Sequence, residues 1–124
     1  MDKANSLKAE GTALYQAEKH VEAVSKYCAA LSALEPEMNP EASELRRNLH
    51  SNISMLLLKT GDISGALESA ESCISEDTEW AKGHYRKAAV LLEIAVEAAK
   101  EPSSTNPAPR IAASEALRKV SSLI

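Results

Sequence analysis

Residues 52–70 read NISMLLLKTGDISGALESA, and this stretch contains two apolar patterns on either side of a single turn. On each side the apolar residues recur every three or four positions, which is the spacing of one face of an α-helix. They are Ile53, Leu56 and Leu57, followed by Ile63, Ala66, Leu67 and Ala70. Gly61 and Asp62, between the two sets, form a turn signal. The stretch therefore predicts two helices joined by a tight turn.

The rest of the chain has the same apolar spacing, interrupted by turn and loop residues. We predict six helices, at about 3–17, 20–34, 41–60, 63–75, 79–100 and 109–122. The breaks fall at Pro36 and Pro40, at Asp77-Thr78, where Thr78 is the expected N-cap of the fifth helix, and in a Pro-rich loop at 102–109. Because no segment alternates with a period of two over a strand's length, the predicted fold class is all-α.

The composition narrows the functional classes. Of the 124 residues, 44% are hydrophobic and only 3% are aromatic, a bias toward small and aliphatic side chains that suits close helix packing. The formal net charge of −4 argues against general nucleic-acid binding, which needs a basic surface, and gives no reason to expect attraction to anionic membranes. No segment is apolar enough to span a bilayer, and the start carries no signal-peptide pattern. We expect a cytoplasmic protein with no nucleic-acid and no membrane partner.

The two cysteines and the scattered histidines do not predict chemistry. Cys28 and Cys73 lie in apolar helical patterns, so both are predicted to be small buried core residues. No Cys/His spacing suits a metal site, and no phosphate loop or catalytic triad pattern is present. The sequence therefore predicts no catalytic residue, no metal and no cofactor.

The helices pair, and the pairs resemble one another. Their small and aromatic positions resemble the tetratricopeptide repeat (TPR) pattern of Gly, Ala, aromatic, Ala and Pro, here Gly11, Ala23, Tyr27, Ala30 and Pro36. Asn52 and Arg86 are 34 positions apart (86 − 52), which matches the TPR period.

The resemblance implies a single TPR domain over 1–124. Its three tandem helix-turn-helix repeats, about 4–36, 47–78 and 81–123, would give six to seven antiparallel helices in a right-handed superhelical array with a concave peptide groove. Two departures from the pattern stand out, an insertion at 37–47 and a Pro-rich insertion near 101–109. The segment 110–123 is therefore left open between an ordinary second helix and a capping helix.

Polar pairs at i, i+4 spacing mark the first helix of each repeat, and this spacing puts both members of a pair on one helix face. The pairs are Lys8 and Thr12, Asn48 and Asn52, and Lys82 and Arg86. No acidic residue occupies these positions, although the chain as a whole is negatively charged. Several cationic and amide donors around one groove suit a ligand with carboxylates.

This set of donors is similar to the carboxylate clamp of TPR co-chaperones, in which Lys8, Asn52, Lys82 and Arg86 match by position. Thr12 stands where the family has Asn; threonine keeps one hydroxyl donor but lacks the reach and second donor of an amide. The resemblance implies a monomeric adaptor that binds the Glu-Glu-Val-Asp tail of heat-shock protein 90 or heat-shock protein 70.

Two apolar groove residues and one alternative function complete the hypothesis. Met55 is expected to line the groove floor, and Tyr15 is left open between a core residue and a peptide contact. The alternative is a TPR scaffold that binds a different protein and has no working clamp.

Overall fold

The computed structural model describes residues 1–101 and 106–124 and contains six α-helices. They are α1 (Asp2–Gln16), α2 (His20–Leu34), α3 (Pro40–Thr60), α4 (Ile63–Glu76), α5 (Ala81–Ala99) and α6 (Ala108–Leu123). No strand occurs in the described residues, so the all-α prediction is confirmed. Part of the predicted Pro-rich loop, 102–105, lies outside the described residues.

The helices form three hairpins that stack in chain order. α1 packs against α2, α3 against α4 and α5 against α6, while α2 meets α3 and α4 meets α5 between neighbouring hairpins. The first helices of the second and third hairpins, α3 and α5, also contact each other. α6 packs on α5 and completes the third hairpin, and its assignment as an ordinary second helix or a capping helix stays a prediction.

The turns are fixed by local caps, one of which differs from the prediction. Gly61 ends α3 in the left-handed region, with φ of 91°, and the Asp62 side chain accepts a hydrogen bond from the Gly65 N–H at 3.0 Å. The predicted N-cap of the fifth helix is wrong: α5 begins at Ala81 with Trp80 at the cap position. Asp77 organises the turn instead, because its carboxylate accepts a hydrogen bond from the Glu79 N–H at 3.1 Å.

Small residues allow the paired helices to approach closely. Gly11, Ala23, Ala30, Ser54, Ala66 and Ala88 are all buried, as the sequence predicts for helix contacts. A Cβ atom on Gly11 would lie 2.7 Å from Cε1 of Tyr27, so any larger residue there would displace the ring. Ser54 donates a hydrogen bond to the Ala66 carbonyl at 2.8 Å, which joins α3 to α4 in the core.

The insertion at 37–47 lengthens α3 rather than forming a loop. Its start is capped by Asn39, whose side chain accepts a hydrogen bond from the Ala42 N–H at 2.8 Å. Arg46 then binds Glu76 of α4 at 2.9 Å and the Glu37 carbonyl at 2.8 Å. These contacts connect the added turns to α4 and to the loop that follows α2.

The prediction that both cysteines are buried is half wrong. Cys73 is fully buried, but Cys28 is exposed on α2. Cys28 lines a cleft between α2 and α4, where the two second helices do not close against each other.

Among the described residues, no helix has the length and apolar character that crossing a membrane requires.

Candidate functional site

The predicted peptide-binding residues lie on the three first helices of the hairpins. We use "groove" for the surface that α1, α3 and α5 share and that carries these residues. Lys82 is exposed, and the others are half-buried: Lys8, Thr12, Tyr15, Asn48, Asn52, Met55 and Arg86. Tyr15 and Met55 pack on the hydrophobic core from the groove side. These two side chains therefore connect the groove to the core.

Arg86 bridges two of the three helices. Its Nε donates a hydrogen bond to the Ser51 hydroxyl of α3 at 2.9 Å, and its guanidinium lies 5.6 Å from the centroid of the Tyr85 ring. Desolvation by partial burial lowers the pKa of Arg86, and Tyr85 and Cys73 oppose that shift. The contact with Ser51 fixes the guanidinium at its Nε, and the two terminal nitrogens make no hydrogen bond with any described residue.

Lys82 lies beside an aromatic and ionic cluster at the start of α5. Its ammonium is 6.0 Å from the centroid of the Trp80 ring, and the Arg47 guanidinium of α3 lies 4.4 Å from the same ring. Arg47 also forms an ion pair with Asp77. The cluster holds the amino end of α5 against α3, which sets the position of Lys82 relative to Asn48 and Asn52.

Thr12 of α1 forms a hydrogen bond with a buried tyrosine of α2. Its Oγ1 lies 2.9 Å from the hydroxyl oxygen of Tyr27 on α2, and Tyr27 is only 3% exposed. A buried phenol needs an acceptor for its proton. When Tyr27 donates to Thr12, the Thr12 hydroxyl proton remains available to a ligand in the groove.

Tyr15 and Lys59 meet where α1 and α3 end. The Lys59 ammonium lies 5.3 Å from the centroid of the Tyr15 ring, and the ring also contacts His20, with 5.7 Å between ring centroids. Tyr15 therefore combines packing on the core with an exposed face in the groove. Its contact with a peptide stays a prediction.

The remaining predicted donors are free of competing contacts within the described part of the chain. The side chains of Lys8, Asn48 and Asn52 make no hydrogen bond or ion pair with any described residue. Half-buried polar groups of this kind gain from a ligand that supplies acceptors.

Sequence reasoning missed three side chains that support the site. Ser51 holds Arg86, Tyr27 binds Thr12, and Lys59 extends the stripe of Asn48, Asn52 and Met55. Lys59 could have been identified from the sequence, because residues 48, 52, 55 and 59 follow helical spacing on one face. The partners of Ser51 and Tyr27 depend on how the helices are rotated against each other, which periodicity does not give.

The three hairpins and the residues on their first helices define a TPR-type helical repeat. Among solved structures, the second TPR of Spaghetti (RPAP3), bound to the HSP90 peptide SRMEEVD, is similar, with a TM-score of 0.73 and 19% identity over 98% of this chain and 93% of that one. The C-terminal TPR-containing domain of a Plasmodium falciparum protein described as FK506-binding, PFL2275c, is similar with a TM-score of 0.66 and 17% identity over 98% and 90%. No protein-family model and no curated protein matches the chain.

The chain thus has the TPR fold, and the prediction of a TPR-type helical repeat is confirmed. Identities this low identify the fold alone. The repeat boundaries and the carboxylate clamp stay predictions.

Proposed function

We propose that the chain is a non-catalytic adaptor that binds the acidic carboxyl-terminal tail of heat-shock protein 90 or heat-shock protein 70 in its groove. The clamp residues would be Lys8, Thr12, Asn52, Lys82 and Arg86, with Asn48, Tyr15 and Met55 lining the groove beside them. The adaptor would act as a cytoplasmic monomer without cofactor.

One observation supports this proposal: Arg86, which shares a face of α5 with Lys82, is held against α3 by a hydrogen bond of 2.9 Å to Ser51. A side chain that is already ordered loses less conformational entropy when it binds a ligand. Charge-assisted hydrogen bonds to a carboxylate contribute about 1.5–3 kcal/mol each before ordering of the ligand is subtracted. Two or three such bonds contribute about 3–9 kcal/mol, so an affinity near micromolar, about −8 kcal/mol, also needs apolar contacts in the groove.

The nature of the ligand follows from the donor set. Lysine and arginine donate and cannot accept, and Thr12 has one acceptor site taken by Tyr27 when that phenol donates. The groove therefore favours a ligand that supplies mostly acceptors, as the two carboxylates of a terminal aspartate do. The fold neighbour bound to the HSP90 peptide SRMEEVD supports this choice of ligand.

The test is fluorescence polarisation with a labelled peptide ending in Met-Glu-Glu-Val-Asp, beside a copy whose terminal carboxylate is amidated. We expect saturable binding of the acid and at least tenfold weaker binding of the amide. Lys82→Ala and Arg86→Ala should each weaken binding of the free-acid peptide by about tenfold, since each removes a charge-assisted hydrogen bond. Lys119→Ala is the matched control, because it removes an exposed lysine on α6.

Equal binding of acid and amide, or normal binding by both groove variants, would refute the clamp. The chain would then be a TPR scaffold for another protein. In that case, capture of that partner would be unaffected by a Lys82→Ala and Arg86→Ala double substitution.

A further inference from the structure

A second concave surface lies between the two second helices α2 and α4, and we call it the outer cleft. It consists of two adjoining cavities of about 240 Å³ and about 520 Å³, which share Leu31 of α2 and His50 of α3. Its floor is formed by His50, Ile53 and Leu57. Helical spacing places these three residues about half a turn from the groove residues of α3. The outer cleft and the groove therefore lie on opposite faces of that helix.

The α2 wall of the outer cleft is apolar. Val24, Cys28 and Leu31 line the cleft and follow one another at helical spacing. Val21, one turn earlier on the same face, is 72% exposed. Val24 and Leu31 are seven residues apart, about 10.5 Å along the helix, which is also the distance between positions i and i+7 of a second helix. The wall therefore matches the spacing of the apolar face of an amphipathic helix.

The charged residues of the outer cleft are mainly acidic. Glu35 at the end of α2 and Glu68 and Glu76 of α4 line it, and Arg46 is the one cation among the lining residues. Arg46 is paired with Glu76 at 2.9 Å, whereas Glu35 and Glu68 are exposed and form no ion pair with any described residue. Burial lowers the pKa of His50, so its imidazole adds no positive charge at neutral pH. Two unpaired carboxylates thus border an apolar floor.

We propose that the outer cleft binds an amphipathic helix of a partner protein, which has apolar side chains at i, i+3 or i+4, and i+7 and has Lys or Arg on its flanks. The apolar side chains would cover the floor and the α2 wall, and the flanking cations would pair with Glu35 and Glu68. An acidic helix would place like charges against these carboxylates. An extended segment would find no sheet edge to pair with, because the described residues contain no strand.

Cys28 gives a direct readout of whether the outer cleft is occupied. It is exposed, whereas Cys73 is buried and its pKa is raised to about 11, so N-ethylmaleimide should alkylate the folded chain at Cys28 alone. The probe is the helical peptide Leu-Lys-Lys-Leu-Leu-Lys-Leu-Leu-Lys-Lys-Leu-Leu-Lys-Leu, with both ends blocked so that no terminal carboxylate can bind the clamp. We expect this peptide to slow alkylation of Cys28 saturably. A counterpart with Glu in place of every Lys should have no effect.

Charge reversals locate the bound helix. Glu35→Lys and Glu68→Lys should each raise the peptide concentration that gives half-protection by about two- to fivefold, the range of an exposed ion pair. Glu115→Lys is the matched control, because it makes the same charge change at an exposed position of α6. In every variant, a Cys73 that stays unmodified shows that the chain is folded.

Three results would overturn the proposal. They are an alkylation rate that neither peptide changes, equal protection by the Leu-Lys and Leu-Glu peptides, and an effect of Glu115→Lys as large as that of Glu68→Lys. Alkylation of Cys28 that slows with rising protein concentration, without peptide, would also overturn it, because a second copy would then occupy the cleft. None of these results affects the clamp, since saturating Met-Glu-Glu-Val-Asp peptide should leave the alkylation rate of Cys28 unchanged.

Discussion

Tyr27→Phe and Thr12→Val each remove one half of the hydroxyl pair that joins α2 to α1, yet we expect the two variants to differ in stability. The oxygens are 2.9 Å apart, Tyr27 is 3% exposed and Thr12 is half-buried. Tyr27→Phe leaves the Thr12 hydroxyl able to bind water, so its cost is the net value of one hydrogen bond, about 0.5–1.5 kcal/mol. Thr12→Val leaves a buried phenol without a partner, which costs about 1–3 kcal/mol.

Peptide binding adds a second test of the same pair. When Tyr27 donates to Thr12, it directs the Thr12 proton toward the groove, and both single variants lose that directed donor. Their effects on binding should therefore not add: the double variant should bind the Met-Glu-Glu-Val-Asp peptide about as weakly as Thr12→Val alone. A role of Tyr27 in packing alone would instead give the two substitutions independent effects.

Urea unfolding and fluorescence polarisation on the four proteins supply both measurements. Thr12→Ser serves as the control, because it keeps the hydroxyl and removes only a methyl group. The reasoning fails if Tyr27→Phe destabilises the chain more than Thr12→Val does. It also fails if the two binding losses add.

Three further predictions concern the neighbouring positions. Gly11→Ala should lower the unfolding free energy by about 1–3 kcal/mol in urea, because its Cβ would lie 2.7 Å from Cε1 of Tyr27; an unchanged midpoint would contradict this. Burial raises the pKa of Cys73 from 9.0 to about 11, so the thiol ionises first in the unfolded chain. Stability relative to Cys73→Ala should therefore fall by about 2 kcal/mol between pH 9 and 11, and parallel pH profiles would refute this. Thr12→Asn should tighten peptide binding by about 1 kcal/mol, since an amide accepts from Tyr27 and still donates twice; weaker binding would argue against the clamp geometry.

The fold could be predicted because it rests on local signals. Apolar residues at helical spacing and the Gly61-Asp62 turn gave helix ends within two residues of those observed. The two errors came from contacts that spacing does not encode. Thr78 was predicted as the N-cap of α5, but in this turn the Asp77 carboxylate accepts the backbone hydrogen bond, from the Glu79 N–H. Cys28 lies in an apolar pattern but faces the open cleft between α2 and α4.

For the candidate site, the sequence predicts only which residues share a face of the same helix. Helical spacing shows that Lys82 and Arg86 share one side of α5, and the resemblance gives that side a role. Helical spacing does not show that Arg86 donates a hydrogen bond to Ser51 of α3, or that Lys59 lies against Tyr15 of α1. Those contacts depend on the rotation of one helix against the next, which the core side chains determine jointly.

Two glycines link this packing to the candidate site. Gly11 precedes Thr12, and its missing side chain lets the Tyr27 ring reach the Thr12 hydroxyl. Gly83 follows Lys82, and a Cβ there would lie 3.2 Å from the Cys73 sulfur, so α5 approaches α4 as closely as packing allows. In both places a close helix contact at a glycine is next to a groove residue in the chain. Because a shift of either contact would move its neighbour, the groove donors are positioned by the same close packing that stabilises the hairpins.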